Sequence, residues 1–420
     1  MNKNRRHLLT ALAVVAGVIP SSGQAGSENT LPEYKQTHAV DLGAPDRWDY
    51  VVFDASSHRV FVAHGDRVTV VDGDEGKVIG QVEGFPGGTH GVAISAATGK
   101  GFSDDGEAGT VTAFDLKTLA RGKTIKAQAD ADGMVLDAQT HHLFVIDGDS
   151  GKITVIDPQT ETVIATIDGG GALEFGVLDG HGKFFVDGAE KGEIVAIDTA
   201  TNKVTAHWPM AGCVKPHGLA MDRATHRLFA SCANHVLTVV DARTGAVVAT
   251  LPIGERNDGA VFDARRRLVF ASNGDGTLSV IREMNAGTFV SLGNITTPVT
   301  GRTMDIDPGN GRLYIAAAKV DANAPPAANG RPKLVPGSLQ LLFLDPVDED
   351  QSNAPALSME QAQAIALKAR PGKIVKRELE HEQGGSGRRY SFDIKAGGTT
   401  YEVGIDAETG EILENGKEGD

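Results

Sequence analysis

One unit of about forty residues recurs seven times between residues 49 and 345. A chain that repeats itself at this period folds as an array of equal supersecondary units, not around one irregular core. Each unit opens on a short apolar run that ends in Asp or Ser, as in Val51-Val52-Phe53-Asp54 or Leu219-Ala220-Met221-Asp222. The terminal residues are Asp54, Ser95, Asp137, Asp179, Asp222, Asp263 and Asp307, spaced 41, 42, 42, 43, 41 and 44 positions apart. A turn and a second run follow, such as Arg227-Leu228-Phe229-Ala230-Ser231; a third alternates and closes on Asp, as in Val68-Thr69-Val70-Val71-Asp72. A polar turn then leads to a fourth run, as in Val247-Val248-Ala249-Thr250-Leu251.

Four short β-branched and Phe-rich runs per unit predict the four strands of a propeller blade. Apolar residues at helical spacing are absent from all seven units. An Asp at the end of the third strand suits a turn in which its carboxylate accepts from backbone N–H groups two residues on. The seventh unit has no evident fourth strand after Leu339–Asp345, and the orphan segment Lys35–Leu42 is positioned to supply it. That swap would remove two open sheet edges. Residues Asp321 to Gly337, rich in Ala, Pro and Asn, read as a surface excursion of the last blade. The fold class expected is an all-β seven-bladed propeller plus a small C-terminal α+β domain.

The repeats resemble the YVTN-type propeller family, named for the end of its second strand, here Phe61-Val62-Ala63-His64 and Phe270-Ala271-Ser272-Asn273. The likeness covers about residues 34–345. It implies a fold, not an activity, since related propellers include binding proteins, lyases and subunits of quinoprotein or haem enzymes.

Alignment of the units exposes one column that is polar throughout. The residue opening the first strand is Asp49, His90, Asp132, Glu174, His217, Asp258 and Arg302 in blades one to seven. First strands line a propeller's channel, so these side chains are expected to ring one mouth and to bind a small polar ligand or an exported protein partner there. Gly91, Gly133, Gly218 and Gly259 follow directly, consistent with crowded backbones near the axis. His90, His217, Asp132 and Glu174 offer donors suited to a divalent first-row metal. The two histidines are three blades apart, however, and a merely solvated vestibule accounts for the same column. Asp49 and Arg302, neighbours across the closure, suggest a salt bridge. His58, His142 and His226 read as turn residues at the opposite end of the blade. Cys213 and Cys232 flank strands one and two of blade five, so antiparallel pairing predicts a disulfide between them.

Other chemistry is limited by what the sequence contains. It holds no Gly-x-Ser-x-Gly elbow, phosphate-cradling glycine loop or His-Glu-x-x-His. Without Cys-x-x-Cys-His there is no covalent haem. The leading expectation is therefore a binding protein. A metal-dependent lyase or lactonase at the channel mouth is the alternative, and an electron-transfer accessory subunit a third reading.

The N-terminus reads as an export signal over residues 1–25: Lys3, Arg5 and Arg6, an apolar run Leu8–Ile19, then small residues up to Ala25. Both the general and the twin-arginine routes fit. The apolar run is too short to span a bilayer, and a periplasmic or secreted location follows. Loss of three basic residues and no acid takes the net charge from −15 to −18. So acidic a body repels nucleic acid and anionic lipid, and a monomer is expected.

Residues 347–356 (VDEDQSNAPA) read as a linker between the propeller, residues 34–346, and a domain over 357–415. Ser358 and Gln361 form a capping box, and Met359, Ala362, Ile365, Ala366 and Ala369 fall at helical spacing. Alternating segments Ile374–His381, Tyr390–Ile394 and Tyr401–Ile405 follow, and Asp406–Gly410 turns into Glu411-Ile412-Leu413. The helix opening and the stretch Tyr401–Leu413 resemble a PepSY domain. That resemblance implies an extracytoplasmic interaction module, in some contexts inhibiting peptidases, and brings no catalytic residues.

Overall fold

The structure, a computed structural model, describes residues 30–327, 330–347, 357, 359–380, 385–386, 388–407 and 409–417. The proposed signal segment, nearly all of the linker, and the capping residue Ser358 lie outside the described residues. Two units separate at Pro346 and Val347.

Among the described residues, the first unit forms seven four-stranded antiparallel sheets. In six of them the four strands follow one another in the chain, as in Val51–Asp54, Arg59–His64, Arg67–Asp72 and Lys77–Glu83. In the seventh, Thr303–Ile306, Leu313–Ala317 and Gln340–Pro346 are completed by Tyr34–Asp41, which pairs antiparallel with Gln340–Pro346. The expected strand swap is thus present. Each inner strand packs against the next, and Thr303–Ile306 packs against Val51–Asp54, which closes the ring.

The core lies between sheets. Phe61, Phe102, Phe144, Phe185, Phe229, Phe270 and Tyr314, one from each second strand, are fully or almost fully buried. Placing one large ring per blade at the same register lets adjacent sheets interlock with a regular twist. Turn chemistry recurs with the same regularity. Asp72 accepts from the N–H groups of Asp74 (3.0 Å) and Glu75 (2.7 Å), and Asp115 from those of Lys117 (3.0 Å) and Thr118 (2.7 Å). The first hairpin of blades one and five turns on a left-handed histidine, His58 (φ 53°) or His226 (φ 56°). In blade three that position belongs to His141 (φ 58°), one residue before the His142 expected from the sequence. Cys213 and Cys232 form the disulfide, with Cα atoms 5.4 Å apart.

The second unit is one helix, Met359–Ala369, and a four-stranded antiparallel meander of Lys373–Glu380, Arg389–Ala396, Thr399–Asp406 and Ile412–Lys417. Ala362 and Ala366 pack on Tyr390, Phe392, Ile394, Val403 and Ile405. Small residues on the helix let it approach the bulkier face of the sheet. Arg389 joins three strands by reaching Glu380 (3.3 Å), Glu402 (3.0 Å) and Glu414 (2.7 Å).

Candidate functional site

The polar column sits on irregular backbone. In blades three to six the register between first and second strands slips at Asp132, Glu174, His217 and Asp258. Such a bulge frees a residue from the ladder and re-aims its side chain. At Gly91 and Gly218 packing leaves no room for a side chain. A Cβ on Gly91 would come within 2.2 Å of the Asp132 carbonyl oxygen, and one on Gly218 within 2.7 Å of the Ala260 nitrogen. Backbones of adjacent blades therefore touch behind the ring.

All seven ring residues are half-buried, and most are paired. His217 Nδ1 lies 3.3 Å from Glu174 Oε1 in the preceding blade. Arg302 pairs with Asp258, bonds the Trp48 carbonyl (3.2 Å) and lies over the Trp48 ring. The Asp49–Arg302 bridge expected from ring adjacency is thus replaced by Asp258–Arg302, because Asp258 comes from the other neighbouring blade and reaches the guanidinium first. His90 Nδ1 donates to Asp104 Oδ2 (3.0 Å), while the backbone N–H groups of His90 (3.0 Å) and Gly91 (2.7 Å) donate to Asp104 Oδ1.

Two buried carboxylates stand behind the ring. Asp104 and Asp187 occupy the penultimate position of the second strand, where other blades carry Ala63, Ile146, Ser231, Ser272 and Ala316. An aspartate among small and apolar residues in that column is the signal by which the sequence could have revealed them. Asp104 is consumed by its three donors. Asp187 is fully buried, and neither of its oxygens accepts a hydrogen bond among the described residues.

Crowded acids at a partly dry mouth shift one another's protonation. Burial raises Asp49 to about 7, with Asp258 adding to the rise and Arg302 opposing it. Burial raises Asp132, with the Asp49 charge adding to it, and burial raises Asp187 well above the carboxylate range beside Glu174. The hydrogen bond that His217 donates to Glu174 raises its pKa. At His90 burial opposes the charge, but the Asp104 hydrogen bond and the charges of Asp104, Asp132 and Asp49 outweigh it, raising the ring to about 9. Arg47 Nη2, 3.4 Å from His90 Nε2, works the other way. It sits at the exposed mouth where water screens it, so the buried carboxylate prevails. Each of the three basic members, His90, His217 and Arg302, thus stands between two carboxyl groups, while Asp132 and Glu174 adjoin each other. His90 and His217 are held by different carboxylates. Among the described residues no three His, Cys, Asp or Glu side chains are grouped to hold one metal ion.

Beneath the ring, Tyr50 of blade one meets Phe175 of blade four, ring centroids 5.0 Å apart, and together they narrow the channel. A cavity of about 570 Å³ runs from these rings to Asp54 and Arg223 at the other end of the inner strands. Neither aromatic belongs to the polar column, so column reasoning passed over both.

Comparison with known proteins supports the fold. Among the solved structures that resemble the chain are RRP9 WD40 repeats (11% identity, TM-score 0.63, covering 74% of this chain and 100% of that one), a mitotic checkpoint complex (16%, 0.61, 82% and 100%) and U3-55K (11%, 0.62, 74% and 99%). Identities this low carry the architecture only. No curated protein matches the chain. Residues 356–415 match the PepSY family model, described as peptidase propeptide and YPEB domain.

Proposed function

We propose that the chain is an exported interaction protein of the YVTN-type propeller class. In this reading the charged mouth recognises a polar ligand or protein partner, and the PepSY-type unit engages or regulates a second protein. The observation that carries the proposal is the delivery of one half-buried polar side chain per blade to a single mouth, fixed there by His217–Glu174, Arg302–Asp258 and His90–Asp104. A pre-arranged charge pattern of this kind favours specificity over raw affinity. The disulfide and the PepSY match support an extracytoplasmic location, and among the described residues no helix is long and apolar enough to cross a membrane.

The test is capture from a periplasmic extract by the full-length protein, compared with a Glu174→Gln/Asp258→Asn variant. Ring recognition predicts at least a tenfold fall in captured partner; equal capture by both would sink it. Export is tested separately by the mass of the secreted chain, expected to begin near residue 26.

A lyase or lactonase is the second reading, and the His90–Asp104 pair is the feature that favours it, since a buried carboxylate orienting an imidazole is common in acid–base sites. With His90 held at about 9, that role would be proton donation and not abstraction.

A further inference from the structure

The axial cavity is chemically unlike the mouth above it. Its wall is built from half-buried Val52, Ile94, Leu136, Val177, Met221 and Phe262. Its volume falls within the range of small-molecule sites, which are largely apolar with few polar groups. Tyr50 and Phe175 narrow it at the ring end. At the other end the position after the first-strand Asp or Ser is Ala55, Ala96, Ala138, Gly180, Ala264 or Pro308 in six blades and Arg223 in blade five.

Arg223 is exposed and lines the cavity. Its Nε donates to the Leu178 carbonyl (3.0 Å), which lays the side chain across the blade-four inner strand, near Gly180. That bond fixes the guanidinium at the opening and uses one of its donors, leaving the terminal nitrogens for a ligand. Three carboxylates line the cavity, and each is otherwise engaged: Asp258, at the ring end, pairs with Arg302. Asp54 Oδ1 accepts from Ser56 N–H and Oγ, and its Oδ2 accepts from Ser57 Oγ (2.6 Å). Asp305 accepts from the N–H groups of Phe53 and Ile306, both at 2.8 Å. Asp54 also belongs to blade one, three blades from Arg223 around the ring.

The geometry points to a second binding site, distinct from the charged mouth: the axial cavity takes a single-chain aliphatic carboxylate, its tail against Tyr50 and Phe175 and its head on Arg223. Tyr50 to Asp54 spans four residue steps, a depth of roughly 13 Å. That suits a medium-length chain better than a long-chain lipid.

Calorimetry of the full-length protein with hexanoate, octanoate, decanoate and decanol, all below their micelle concentrations, tests it. Affinity for the acids should rise about fourfold per added methylene, the burial of one CH₂. Arg223→Gln should weaken decanoate binding about tenfold and leave decanol unchanged, and Arg223→Lys should recover part of the loss. Because Arg223 is an exposed turn residue, these variants keep the fold, which circular dichroism verifies. Absence of binding by every acid, a flat chain-length series, or equal decanoate affinity in wild type and Arg223→Gln would each overturn the assignment.

Discussion

The Asp104 carboxylate is fully buried and is held by three donors, two of them from the residue it positions, His90. Burial raises Asp104, and the imidazolium together with the two backbone N–H groups opposes that rise. Asp104→Asn should therefore lower the His90 pKa towards its ordinary value near 6.5, visible in an NMR titration of the ring protons. Breaking a buried pair from one side costs about 3 kcal/mol. The sign of the pH effect follows from the raised folded pKa. The His90 contribution is fully present below about 6.5 and is lost as pH rises through about 9. Denaturant midpoints measured between these limits should fall more steeply in the wild type than in the variant.

Asp49 gives the opposite experiment. Its folded pKa of about 7 lies above the ordinary 3.8, so the fold loses stability as pH rises from about 4 to about 7. Asp49→Asn should stabilise the propeller by about 1 kcal/mol at neutral pH and above, with no gain in acid. Urea unfolding at two pH values decides this, and a gain that persists in acid would contradict it.

The disulfide closes a loop between residues separated by 19 positions. Cys213→Ser/Cys232→Ser should cost about 3 kcal/mol, seen as a lower unfolding midpoint, and added reductant should then have no further effect.

In the C-terminal unit, Arg389→Ala leaves Glu380, Glu402 and Glu414 facing one another without their cation. The expected loss of about 3 kcal/mol falls on this unit alone. Hydrogen exchange should show faster exchange across Arg389–Ala396 and Thr399–Asp406 and none of it in the blades.

The blades were legible because each is announced by the same turn chemistry and strand pattern; even the swap of Tyr34–Asp41 followed from a unit lacking its last strand. The polar column was legible because alignment superimposes it. Pairing within the column was not, since the bulges at Asp132, Glu174, His217 and Asp258 aim the side chains sideways, and so Arg302 met Asp258 instead of Asp49. Asp104 and Asp187 lie outside that column, in a second-strand position whose other members are small or apolar, and only packing across the channel brings Tyr50 to Phe175.

The strand Tyr34–Asp41 finds its partner some three hundred residues downstream, as the Thr37–Asp345 bond, 308 positions apart, makes plain. A ribosome must therefore release nearly the entire polypeptide before the disc can lock. Until then the last blade presents a raw edge, and the molecule stays extensible. The clasp therefore closes last, once residues 340–346 are available to it.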